Sequence, residues 1–240
     1  MVCILPSICR EVSLIRGVVI ITDRYGASMA DLWPDGGRLS WLENTGDPNM
    51  ENWTRYTIGS SPGMHRIAAG HFTRKDRVQV CSAPILAKSS NFDTPAPITI
   101  YTAPDTPNKT HEFWPAEIAA MKTLTHEIVV VPDPHGGLDR ILIASRNGVD
   151  LIWFHDEKWH SFNVGSGLSS DAHPGSPYWG TGSVSYARVR DDYAGYIGSS
   201  EVRYTLRILK IENNRIALSR ASTETLYLCM LSLLDPNMEL

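Results

Sequence analysis

A chain of 240 residues can bury a sizeable core as one large domain or two small ones. Its 22 Lys and Arg against 26 Asp and Glu leave a formal charge of −4, so it lacks the basic footprint of a nucleic-acid binder. The four cysteines, Cys3, Cys9, Cys81 and Cys229, follow neither a metal-ligand spacing nor a disulfide framework.

Residues 1–17 fit no pattern found later in the chain. The apolar run Gly17-Val18-Val19-Ile20-Ile21 is too short for a signal core or a membrane span, because Arg10, Glu11 and Arg16 interrupt what precedes it. No membrane partner is expected, and the location expected is the cytoplasm. Without a secretion signal, Asn52-Trp53-Thr54 and Asn108-Lys109-Thr110 read as chance matches to the glycosylation sequon.

From Thr22 onward Gly and Pro punctuate short alternating runs, and no helical periodicity is sustained until the last forty residues, so strands and turns are predicted for the body of the chain. Gly36-Gly37-Arg38-Leu39-Ser40-Trp41 leading to the Trp53–Gly59 run is answered later by Asn147-Gly148-Val149-Asp150-Leu151-Ile152-Trp153 leading to the Trp159–Gly165 run. A second pair of matching segments begins at His65 and His126, an offset of 61 residues. A four-stranded unit repeated at that period predicts an all-β fold, a partial β-propeller of about three and a half blades. The first blade is read over 22–59. The second runs over 63–119, with strands at 65–72, 77–83, 98–102 and 112–118. The third covers 125–165, and a fourth opens at 182–189 and continues through 192–198. After Glu201 the pattern stops. The expected division is therefore an atypical 1–17, a propeller part 18–201 and an atypical 202–240, the two ends being either capping structure or misread ends of a gene product.

In a propeller the innermost strand of each blade lines a central channel, so residues opening those strands converge. His65 and His126 open equivalent innermost strands and are candidates for one shared site. A histidine taken alone reads first as a strand cap bonded to a carbonyl, and the equivalent register of the two is what brings the shared-site reading level with it. Ser176-Pro177-Tyr178-Trp179-Gly180-Thr181-Gly182 enters the fourth blade at the matching place, and aromatic rings beside glycines suit stacking on a sugar. His111, His135, His155 and His160 fall in loops or outer strands. The Asp-x-Asp-x-Asp-Gly calcium loop carried by many propellers of the FG-GAP/VCBS repeat class is missing, with Asp31, Asp35 and Gly36 its nearest remnant. No Gly-x-Ser-x-Gly elbow, phosphate loop or His-Glu-x-x-His is present.

The segment Ser61-Pro62-Gly63-Met64-His65-Arg66, continuing through Ala69-Gly70-His71-Phe72-Thr73-Arg74 and Asp76-Arg77-Val78-Gln79-Val80, resembles the propeller domain of the aldos-2-ulose dehydratase family. The likeness extends to His126-Glu127, Gly148-Val149-Asp150, Pro177-Tyr178-Trp179-Gly180, Gly182-Ser183 and Asp191-Asp192-Tyr193-Ala194-Gly195-Tyr196-Ile197, and covers roughly residues 23–201. The resemblance implies a seven-bladed propeller joined to cupin domains, and a hydro-lyase that dehydrates 2-keto sugars such as 1,5-anhydrofructose and glucosone. It also implies a homodimer and a divalent metal, zinc in the cupin part with magnesium a candidate for the propeller. This sequence lacks the later blades and the cupin part, so a fragment of weak or no activity is expected, and no metal ligand is assigned.

Dehydration of a keto sugar begins with loss of the proton α to the carbonyl, a task for a base that titrates near neutrality. With the resemblance in view, His126 is the expected base, His65 a second acid/base or an orienting group, and Arg66 the stabiliser of the enolate oxygen. Tyr178 and Trp179 would hold the sugar, and Glu127, on the opposite face of an alternating strand, reads as structural. Two other readings are a non-catalytic propeller that binds glycan or protein, and an inactive remnant that keeps only the architecture.

Overall fold

A computed structural model describes residues 2–5, 18–22, 37–44, 46–47, 53–61, 63–87, 92–105, 112–133, 135–167, 169, 180–188, 195–200, 206–212 and 215–219, with backbone alone at 2–5, 188, 195–200, 206–212 and 215–219. Among these residues there is no helix, and none long and apolar enough to cross a membrane. The strands form four antiparallel meanders of four strands each. The first holds β1 (Val2–Leu5), β2 (Val18–Thr22), β3 (Gly37–Glu43) and β4 (Arg55–Ser61); the second holds β5 (Met64–Gly70), β6 (Gln79–Pro84), β7 (Ala96–Thr102) and β8 (Ala116–Lys122). The third holds β9 (Glu127–Val131), β10 (Arg140–Ser145), β11 (Gly148–His155) and β12 (Lys158–Gly165); the fourth holds β13 (Ser183–Arg188), β14 (Gly195–Ser200), β15 (Leu206–Glu212) and β16 (Arg215–Ser219).

The second strands of the middle sheets explain how the sheets stack. Every residue of β6 is buried, and so are Ile141 to Ser145 of β10, because each of these strands has a neighbouring sheet on both faces. Successive side chains go to opposite cores: Val80 joins Ile20, Leu39, Trp41 and Ile58 of the first sheet, whereas Cys81 joins Ile141, Ile143 and Ile152 of the third. One sheet on, Ile141 and Ile143 face the second sheet while Leu142 and Ala144 face Val184 of the fourth. Strands without polar alternation are thus the ones sandwiched between sheets.

The first strands of consecutive sheets pack side by side, β1 with β5, β5 with β9 and β9 with β13, which is the radial arrangement expected from the repeat. Backbone bonds stitch the sheets together, among them Trp114 N–H to Ile58 O (2.9 Å), Asp139 N–H to His71 O (2.8 Å) and Thr181 N–H to Ser145 O (2.9 Å).

Strand pairing extends past the limits read from the sequence. β1, inside 1–17, pairs with β2 through Val2↔Ile21 and Leu5↔Val18, and β15 and β16, inside 202–240, complete the fourth sheet. Neither stretch has the Gly turns and Trp of the repeat, so no sequence signal announces it. The outer strand of the second sheet lies at Ala116–Lys122 instead of 112–118. Pro115 has no N–H for a ladder, and only its carbonyl takes part, accepting from Thr102 (2.8 Å).

Candidate active site

The innermost strands open on a shared local pattern. His65-Arg66-Ile67, His126-Glu127-Ile128 and Gly182-Ser183-Val184 each place a buried aliphatic residue two positions after the opening residue: Ile67, Ile128 and Val184 are 2%, 4% and 4% exposed. With a side-chain period of two, the opening residue lies on the same face as that anchor. Three adjacent strands therefore present His65, His126 and Gly182 at equivalent positions.

His65 is 0% exposed. The ladder between β5 and β6 slips between Met64 and Arg66, so His65 occupies a bulge, and this is why Met64 and His65, neighbours in sequence, are both buried. His126 is exposed, and its ring centre lies 5.4 Å from that of His65 with the planes at 64°.

Three bonds hold His126. Its backbone N–H donates to Ala144 O (2.9 Å), its backbone carbonyl accepts from Arg66 Nε (2.7 Å), and its ring Nδ1 lies 2.6 Å from Gly182 O. A carbonyl oxygen only accepts, so Nδ1 carries the hydrogen in that bond. The neutral ring is then the tautomer whose Nε2 lone pair is open to accept a proton. Arg66 Nη2 reaches Glu127 Oε2 at 3.2 Å, so one guanidinium ties together the main chain and the next side chain of the neighbouring sheet. Glu127 thereby serves the scaffold, in keeping with its place on the strand.

Of the residues singled out by sequence, His65, Arg66 and His126 are brought together, whereas Tyr178 and Trp179 lie outside the described residues. Sequence reasoning missed the Gly182 carbonyl as the partner of His126. The signal was available, since Gly182 stands two residues before Val184 as His126 stands two before Ile128. His155 and His160 sit on the β11–β12 hairpin at the outer edge of the third sheet, where His160 stacks on Trp153 with centres 5.6 Å apart. Among the described residues no group of three or more His, Cys, Asp or Glu side chains converges on one point.

Comparison with known proteins identifies the family and the fold. The family model described as aldos-2-ulose dehydratase, beta-propeller domain, matches residues 36–208. Over 187 residues the chain is 50% identical to aldos-2-ulose dehydratase of Phanerodontia chrysosporium, a match covering 76% of this chain and 20% of that protein. The chain thus spans about a fifth of the length of the curated relative it matches. It belongs to the aldos-2-ulose dehydratase family, and the part of that family it carries is the β-propeller.

Proposed function

We propose that this chain is a carbohydrate lyase domain acting on cyclic 2-keto sugars of the 1,5-anhydrofructose and glucosone type, with His126 as the base that removes the proton α to the carbonyl. The observation that carries the reading is the bond between His126 Nδ1 and Gly182 O, which leaves Nε2 as the proton acceptor on an exposed ring. As Nε2 takes the proton, the C–H pair moves into the enolate. The ring becomes imidazolium, and its Nδ1–H bond to Gly182 O turns into a stronger, charge-assisted one. The enolate then collapses, breaking the C–O bond to the β-hydroxyl; this group takes a proton and leaves as water. His126, now protonated, is the donor at hand.

The remaining residues take supporting roles. His65 is fully buried and touches the exposed imidazole, so it orients the base instead of meeting substrate. Arg66 holds the His126 main chain and brings a permanent positive charge that suits a developing enolate oxygen. Tyr178 and Trp179 supply stacking area for the sugar. Turnover by the chain alone is expected to be weak, so the test follows the first step.

Purified chain is mixed with 1,5-anhydrofructose in D₂O, the loss of the α-proton is followed by NMR, and the enone product by ultraviolet absorbance. Wild type should accelerate exchange, and His126→Gln should lower that rate by about 10² or more, the usual contribution of a general base. An exchange rate equal to that of buffer would refute the assignment. A binding module would instead keep its ligand affinity in His126→Gln and catalyse no exchange in either form.

A further inference from the structure

Gly180-Thr181-Gly182 contains two glycines, and only one of them is required by the fold. Gly180 has φ +86°, and a Cβ there would lie 2.5 Å from Arg146 Cα, so backbone conformation and packing both demand glycine. At Gly182 neither demand exists: its φ is outside the left-handed region, and a Cβ would meet no heavy atom of the described residues within 4 Å. Gly182 nevertheless stands where the two preceding sheets place His65 and His126, and its carbonyl already holds the His126 ring at 2.6 Å. A side chain at 182 would project into open space beside an exposed imidazole.

We propose that Gly182 is the specificity-determining position of the site, the space above it being where the ring of a cyclic keto sugar lies while its α-carbon faces His126. The proposal rests on the reading of His126 as base and adds where the substrate sits. The match is one of shape. A polyhydroxy ring needs close approach to the backbone, and a glycine without a side chain allows that approach. Replacing Gly182 also leaves the carbonyl in place, so bulk can be added without removing the partner that orients His126.

The experiment is a graded series in the full chain, Gly182→Ala, Gly182→Val and Gly182→Leu. Three quantities are followed: the Kd for 1,5-anhydrofructose from shifts of the His126 imidazole signals, the α-proton exchange rate, and the melting temperature. Affinity should change less than about threefold for Ala and fall at least about tenfold for Leu, the scale on which pocket methylenes discriminate. Melting temperatures should hold or rise, because a glycine without special φ gives way to residues of lower unfolded-state entropy. Should the Leu variant fail to fold, Val carries the same comparison with less bulk. Unchanged Kd and exchange in Val and Leu would overturn the proposal while leaving the base assignment intact, provided His126→Gln still abolishes exchange. Conversely, blocked binding in Leu with full exchange in His126→Gln would keep the subsite and remove the base. A melting temperature that falls in step with affinity across the series marks a packing position and also overturns the proposal. No response of the wild-type His126 signals to the sugar overturns both.

Discussion

The imidazoles of His65 and His126, 61 residues apart in the chain, meet with ring centres 5.4 Å apart and planes at 64°. One ring is fully buried at a bulge and the other is exposed, so the pair divides into a wall and a reactive group. The division comes from the sheet arrangement: the same strand position is occluded in the second sheet and open in the third, where the next sheet offers a glycine carbonyl instead of another ring.

The first expectation concerns the proton on His126. With a carbonyl 2.6 Å from Nδ1, the neutral ring should carry its hydrogen there, and Nε2 should show the nitrogen resonance of an unprotonated imidazole. Nitrogen-15 NMR of the histidine side chains above the titration range reads this directly. A protonated Nε2 in the neutral ring would remove the open lone pair on which the proposed base depends.

Arg66 provides a second test. Its Nε and Nη2 hold the His126 carbonyl and the Glu127 carboxylate at 2.7 and 3.2 Å, a two-point grip that a guanidinium makes and an ammonium does not. Arg66→Met should slow α-proton exchange about tenfold through misplacement of His126, and lower stability by about 1–2 kcal/mol through lost bonds on a partly exposed pair. Arg66→Lys should recover little of the rate, since charge alone does not restore the grip. Full recovery by Lys would show that Arg66 acts through charge and not through position.

Much of this architecture is legible in the sequence because a propeller repeats itself. The offset between His65 and His126, together with the matching Trp41 and Trp153 strands, is enough to place the two histidines on neighbouring innermost strands. The arginine's bonds are not legible, because which side chain reaches which carbonyl depends on the distance between sheets. β15 and β16 escape notice for another reason: their stretch has neither the turn glycines nor the tryptophans of the other sheets, and pairing of β15 with β14 and of β16 with β15 is what makes them strands. Gly182 is legible from its spacing to Val184, which repeats that of His126 to Ile128, but the bond its carbonyl makes is not.

The contact between the first and second sheets is tight at Gly59. A Cβ there would lie 2.6 Å from Tyr101 Cζ, and Tyr101 is buried in the core with Trp41, Ile58 and Trp114. The ring has little room to retreat. Gly59→Ala should therefore destabilise the chain by about 1–3 kcal/mol, as overpacking does, and the double variant Gly59→Ala/Tyr101→Leu should recover part of that loss. Urea unfolding of the four forms measures the coupling. Additive losses would mean that the ring and the added methyl do not meet.

Cys81 gives the chain a stability term with a defined sign at alkaline pH. The thiol lies between the second and third sheets with Ile98, Ile100, Ile141 and Ile143, and burial pushes its pKa up. An unfolded thiol ionises near about pH 8.5, so above that pH the unfolded chain has released a proton that the folded chain still holds. With more protons bound to the folded state, stability falls as pH rises, by up to about 1.4 kcal/mol per pH unit from this one group; below about pH 8 the group contributes no slope. Burial also raises the pKa of Tyr101, which adds a loss of the same sign above about pH 10. Cys81→Ala removes the first contribution and keeps the second. Between about pH 8.5 and 10 the unfolding free energy of wild type should drop relative to that of the variant, whereas at pH 7 the two should differ only by the constant cost of the lost packing. Parallel curves across that window would mean that the thiol ionises as readily in the folded chain as in the unfolded one, and that the core between these two sheets admits water.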